Sequence, residues 1–123
     1  MKFTQHHDKS SHPIKSYLDG VVIVGETEYR QSLVIAPDSI VTDLLPAAVA
    51  DLTGEHFTAL IDSGADVILL GTGSTLSFPD QALMAQVLAQ QVGLEVMDTA
   101  AACRTYNVLL SEGRNMIAAL LLD

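Results

Sequence analysis

Cys103, Arg104 and Asn107 fall in one run, Asp98-Thr99-Ala100-Ala101-Ala102-Cys103-Arg104-Thr105-Tyr106-Asn107, where a strand should become a helix. Cys103 is the sole cysteine and Arg104 is one of three arginines. Early in a helix, the dipole and an adjacent guanidinium both favour a thiolate, which is how reactive thiols are made. Yet Cys103 shares a helical face with Tyr106 and Leu110, and a free cysteine is often a small buried hydrophobe. No histidine lies near it in sequence to act as base, and His56 is one that the fold could bring up. Asn107 follows Cys103 by one helical turn and faces the same side. Asp98 or Thr99, at a strand-helix junction, ordinarily caps the helix. Glu112 and Arg114 ordinarily pair to hold a helix end.

A second polar tip is Gly71-Thr72-Gly73, which ends the apolar run Val67-Ile68-Leu69-Leu70. Two glycines after a buried strand permit close backbone approach, and ligands of α/β sheets bind at strand C-termini. The third glycine of a dinucleotide loop and the Gly-Lys-Ser/Thr of a phosphate loop are both missing. A tight turn demanded by topology is therefore the favoured reading. The two runs are expected to be neighbouring strand tips of one sheet. Gly71, Thr72, Gly73, Asp98, Thr99, Cys103, Arg104, Tyr106, Asn107, Glu112 and Arg114 then form a candidate functional surface. No catalytic residue and no metal ligand is assigned among them, and no cofactor is implied.

The elements that must hold this surface can be read in order. Residues 1–13 form a polar arm closed by Pro13. Its His6, His7 and His12 with Asp8 are metal ligands by type, but nothing fixes them, and a solvated tail is expected. Residues 14–18 are an edge strand, with Ile14, Ser16 and Leu18 alternating against Lys15 and Tyr17. Asp19-Gly20 is a hairpin turn, residues 21–24 a β-branched strand, and residues 25–28 a polar turn. Residues 29–36, centred on Ser32-Leu33-Val34-Ile35, continue an antiparallel meander, and Ile40-Val41 pair briefly after Pro37-Asp38-Ser39. Pro46 opens a short helix over 47–52. Thr53 caps a helix over 54–62 with Phe57, Leu60 and Ile61 as its stripe, ended by Gly64.

Residues 67–70 read as a strand covered on both faces. Pro79 starts a helix with Asp80 in its first turn and Leu83, Met84, Val87, Leu88 and Val92 inward, and Gly93 is its terminating residue. Residues 94–97 form the next strand, so 67–98 is one β-α-β unit with a parallel pair. A helix then runs from Asp98 or Thr99 to about Ser111, with Ala102, Cys103, Tyr106, Leu109 and Leu110 inward and Gly113 at its end. Residues 115–122 close the chain as an apolar, central strand. The reading is a single α/β domain over 14–123 after a flexible arm over 1–13.

Composition excludes several functions. The 123 residues suffice for one domain with a real core, and 49% hydrophobic content rules out disorder over most of the length. A formal charge of -9 excludes a nucleic-acid binder and docking on anionic lipid by charge alone. The absence of Trp leaves little for base stacking. A single cysteine makes no internal disulfide, which fits a reducing compartment. The polar first residues form no secretory signal, and no apolar run nears the roughly 20 residues that span a bilayer. A cytoplasmic protein that does not span a membrane is expected, and the exposed meander edges are compatible with a homo-oligomer.

Taken together, Leu70-Gly71-Thr72-Gly73, Glu95-Val96-Met97-Asp98-Thr99, the run from Ala102 to Leu109 and Glu112-Gly113-Arg114 carry a resemblance over nearly the whole chain. They resemble a widespread family of small proteins of unknown function that includes the mitochondrial respiratory complex I (NADH dehydrogenase) assembly factor three. The resemblance implies a three-layer domain, with a mixed central β-sheet flanked by helices and an additional N-terminal antiparallel β-hairpin layer. It implies no established enzymatic activity and a role through protein partners, with subunits of a membrane respiratory complex among the candidates. The chain lacks an amphipathic, Arg-rich targeting extension and so resembles a bacterial cytoplasmic member. The leading expectation is a non-catalytic assembly or interaction factor. The alternative is a small-molecule-binding protein or enzyme using a strand-tip pocket around Cys103 and Arg104. A third reading has the junction merely hold strands together.

Overall fold

Residue Leu33 begins a short run in which every side chain is buried, and so does Met116 (Leu33–Ala36 and Met116–Leu120). Such runs belong in a sheet covered on both faces. A computed structural model of the protein describes residues 12–123 and places both in the central sheet. His6, His7 and Asp8 of the arm lie outside the described residues. The strands are β1 (Ile14–Leu18), β2 (Val21–Val24), β3 (Thr27–Tyr29), β4 (Leu33–Ala36), β5 (Ser39–Val41), β6 (Val67–Gly71), β7 (Gly93–Met97) and β8 (Met116–Leu120). The helices are α1 (Gly54–Ile61), α2 (Gln81–Ala89) and α3 (Thr99–Ser111).

The central sheet has the order β5-β4-β8-β6-β7. β4 runs antiparallel to β5 and β8, whereas β6 runs parallel to β8 and β7, so the sheet is mixed. One face presents Leu33, Ile35, Leu69, Met116, Ala118 and Leu120 to Ala102, Cys103 and Tyr106 of α3 and to Ile14, Val22 and Val24 of a separate β1-β2-β3 sheet. The other face presents Val34, Ile68, Leu70, Ile117 and Ala119 to Phe57 and Leu60 of α1 and Val87 of α2. The result is the expected three-layer α/β arrangement with an added N-terminal antiparallel layer.

Several local expectations are corrected. Thr27 and Glu28, expected in a turn, join Tyr29 as a third strand of the small sheet. The expected strand over 29–36 is divided: Tyr29 stays in the small sheet and Leu33 opens β4 in the central one. The physical reason is burial. A strand in a one-sided meander would leave alternate residues exposed, but Leu33, Val34, Ile35 and Ala36 are all buried.

β1 carries a bulge between Ile14 and Ser16, which inverts the expected alternation beyond it. Ile14 is buried and Tyr17 half-buried, while Leu18 is 71% exposed. The helix expected over 47–52 is a single 3-10 turn, Val49–Asp51. α2 begins at Gln81 with Asp80 before it, and its left-handed terminating residue is Gln91 (φ 61), so Gly93 is free to start β7.

Candidate functional site

Thr99 is the residue around which the strand tips close. It is fully buried as the first residue of α3. Its hydroxyl donates to the Leu121 carbonyl at 2.8 Å and accepts from the Gly73 N–H at 2.8 Å, while its own N–H donates to the Gly73 carbonyl at 2.9 Å. One threonine thus ties the ends of β6 and β8 to the start of α3. The flanking backbone bonds Thr72 N–H to Met97 carbonyl and Leu121 N–H to Gly71 carbonyl, both 2.9 Å, complete the closure. Asp98 caps α3 by accepting from the Ala101 N–H at 2.8 Å.

This geometry explains the glycines without a ligand. A Cβ on Gly71 would stand 2.9 Å from Thr99 Oγ1 and 3.1 Å from Ala102 Cβ, so the missing side chain is what lets α3 approach the sheet. Gly73 has φ +99, and a Cβ there would lie 2.8 Å from Asp123 Oδ2. Thr72 folds back on its own loop, donating to the Thr75 carbonyl at 2.7 Å and accepting from the Ser77 N–H at 3.2 Å. The Asp123 carboxylate accepts from the Ser74 hydroxyl at 3.0 Å and from its N–H at 3.2 Å, which holds it below its usual range.

Cys103 is only 5% exposed, and burial pushes its thiol up to about 12, with Arg104 offsetting only part of the rise. The thiolate that its sequence position suggests is therefore not formed near neutral pH. Two physical causes account for this. Cys103 lies one turn past the unsatisfied N–H groups of α3, and its side chain joins the cluster of Ile14 and Tyr106. His56 does not approach it. That histidine completes a capping box at the start of α1, its Nδ1 accepting from the Thr53 N–H at 2.9 Å, on the opposite face of the sheet. Tyr106 is fully buried, and its hydroxyl has no hydrogen-bond partner among the described residues.

The candidate surface is divided. Glu112 and Arg114 sit at the far end of the 13-residue α3, about 20 Å from the Thr99 junction by helix rise. They form no ion pair with each other. Glu112 is the C-cap of α3, and the Arg114 N–H donates to the Leu109 carbonyl at 3.1 Å. The helix end is held by backbone bonds around Gly113 (φ 71), which replaces the expected Glu112–Arg114 pair.

Arg104 is exposed, whereas Cys103 beside it is buried. With Asn107, Ala100 and Cys103 it lines one wall of a cleft of about 160 Å³, whose other wall is Ile14, Lys15, Ser16 and Tyr17 of β1. Lys15 and Tyr17 were not legible as site residues, because no local motif marks them and the bulge that aims them has no sequence signature. Tyr17 also borders a more open cleft of about 600 Å³ with Asp19, Gly20, Ser74 and Asp123. Burial, and then the Asp123, Cys103 and Asp98 groups, raise the Tyr17 phenol. Leu76 (54% exposed) and Phe78 (62%) stand on the loop that follows Gly73.

Known proteins resemble the chain in sequence and in fold. The chain is 34% identical over 114 residues to an uncharacterised protein of Rhodobacter capsulatus, covering 89% of this chain and 83% of that one. It is 25% identical over 117 residues to the "13 kDa major membrane protein" of Francisella tularensis, covering 92% and 94%. A crystal structure of a Bordetella parapertussis protein matches with a TM-score of 0.85 at 33% identity, covering 93% of this chain and 98% of that one. The solution structure of a Bordetella pertussis protein described as an Mth938-like domain matches at 0.76 and 27% identity, covering 98% and 92%. Residues 14–121, from the bulged edge strand to the carbonyl that Thr99 holds, match the family model described as "Protein of unknown function (DUF498/DUF598)", and the chain belongs to that family.

Proposed function

We propose that the protein is a non-catalytic assembly or interaction factor whose docking surface is the β1–α3 cleft with Arg104 at its rim. One observation supports the reading above the others. The polar groups of the strand-tip junction are already satisfied within the fold: Thr99 by Gly73 and Leu121, Asp98 by Ala101, and Asn107 by Ile14. Cys103 is buried in its protonated form. What the junction offers outward is a cation and a cleft, which suit recognition more than bond-making.

The partner class follows from the resemblance to a family that includes a complex I assembly factor: subunits of a membrane-bound respiratory complex. No helix of the described residues is long and apolar enough to cross a membrane. The reading is of a cytoplasmic protein that meets its partner at the membrane surface. The name of the Francisella relative is consistent with such an association.

The test is co-purification of the tagged protein from solubilised membranes of its own cells after mild crosslinking, beside an Arg104→Ala copy. Respiratory subunits recovered with the wild type and lost with the variant are the expected result. Equal recovery with both would move the surface away from Arg104, and a preparation without any partner would remove the assembly reading. In that case the ligand-binding alternative gains weight, though only as an anion clamp at Arg104, because the Cys103 thiol is protonated and buried.

A further inference from the structure

The outer edge of β1 is half filled. Leu18 and Val21 flank the two-residue turn Asp19-Gly20, whose positive φ angles of 53 and 74 are those of a tight hairpin. That pair exchanges its backbone bonds, so the next residue, Tyr17, aims its N–H and C=O away from β2. Ile14 beyond the bulge does the same, and there the Asn107 side chain takes both groups, at 2.8 Å and 2.7 Å. An amide plane thus stands in for a neighbouring strand at Ile14, and Tyr17 has no such partner among the described residues. Free space lies on both sides of Tyr17, in the clefts of about 160 Å³ and 600 Å³ that it borders.

Charge marks one end of this edge. Lys15 and Arg104, from two different elements, line the smaller cleft. Neither forms an ion pair among the described residues, whereas Arg30 is paired with Glu28 at 2.9 Å. Two cations meeting at one cleft, neither ion-paired among the described residues, are conspicuous in a chain of formal charge -9. The other end of the edge carries Asp19 and Asp123. An acidic tract would be repelled there, while a single carboxylate placed between Lys15 and Arg104 would not.

We infer that the β1 edge receives an extended peptide segment of a protein partner, one residue pairing with the backbone of Tyr17 and one carboxylate seated between Lys15 and Arg104. The open backbone edge is what selects a peptide over a free organic acid, because a free acid would use only the cations. Arg104 suits the carboxylate through its planar fork. This rests on the interaction reading above and specifies its partner.

The experiment is a ¹⁵N NMR titration of the full chain with three probes: the tetrapeptide acetyl-Thr-Val-Thr-Val with a free carboxylate, the same peptide amidated, and sodium acetate. Saturable shifts at the Lys15 and Tyr17 amides and the Arg104 Nε are expected with the free-acid peptide. Its affinity should exceed that of either control by about tenfold, as one charge-assisted bidentate contact supplies. Arg104→Gln and Lys15→Gln, both at exposed positions, should remove most of that difference without changing the thermal midpoint. Equal binding of the amidated peptide overturns the carboxylate, equal binding of acetate overturns the strand, and no shifts at these residues overturn the whole. Peptide binding without respiratory partners in the co-purification would leave this inference standing and remove only the assembly reading.

Discussion

Asn107 and Ile14 are joined twice across 93 positions of sequence: the Asn107 side chain accepts from the Ile14 N–H at 2.8 Å and donates to the Ile14 carbonyl at 2.7 Å. This pair docks the small sheet on α3. Asn107→Ala removes both bonds and leaves two half-buried backbone groups unpaired. A loss of about 2 kcal/mol is expected in urea unfolding, with faster amide exchange at Ile14 than in β2. A loss within experimental error would mean that apolar packing alone seats β1.

Thr99 separates hydroxyl bonding from shape. Thr99→Val keeps the volume but strands the Gly73 N–H and the Leu121 carbonyl, which the hydroxyl satisfies at 2.8 Å each. Thr99→Ser keeps both bonds and drops a methyl group. The valine variant should be the less stable of the two by about 2 kcal/mol in chemical denaturation. The reverse order would show that packing, not the bonds, closes the strand tips.

Two glycines predict contrasting costs. Gly71→Ala places a Cβ 2.9 Å from Thr99 Oγ1 and 3.0 Å from Thr99 Cα, so α3 must shift away from the sheet. Gly64→Ala meets no atom within 4 Å but must hold φ +83. The first should cost about 1–3 kcal/mol through overpacking and the second about 1 kcal/mol through backbone strain. Thermal unfolding of the pair checks the order. Only Gly71→Ala should also perturb the chemical shifts of α3.

The thiol predicts a pH signature. In the folded chain Cys103 is pushed up to about 12 by burial, whereas an unfolded cysteine ionises near about 8.5. Between these values the unfolded chain has lost a proton that the folded chain retains. Stability from this group is therefore complete below about pH 8.5 and falls as pH rises toward 12. Iodoacetamide at pH 8 should label the native chain far more slowly than the denatured one. Equal rates would place the thiol at the surface.

The sequence is most readable where elements are long or doubly buried. α3, its Asp98 cap and its Gly113 end, the β6–β7 parallel pair and the central place of β8 all follow from apolar runs and junction residues. The division between Tyr29 and Leu33 is harder to read. Both stretches are β-prone, and only tertiary burial decides which sheet each joins. Likewise the left-handed residue after α2 is Gln91, though Gly93 is two positions on, because Gly93 must pair with Val67. At the site, residues with strong local roles such as Asp98 were visible. Lys15 and Tyr17 were not, because a one-residue bulge sets their direction.

β8 is the central strand, yet every other strand of the domain precedes it in the chain. Before Met116 is synthesised, the sheet can exist only as two separate pairs, the β4–β5 hairpin and the parallel β6–β7 unit, with no bond between them. A nascent chain on the ribosome therefore carries two open edges and an uncovered core. It closes in one late event as residues 116–120 insert between β4 and β6.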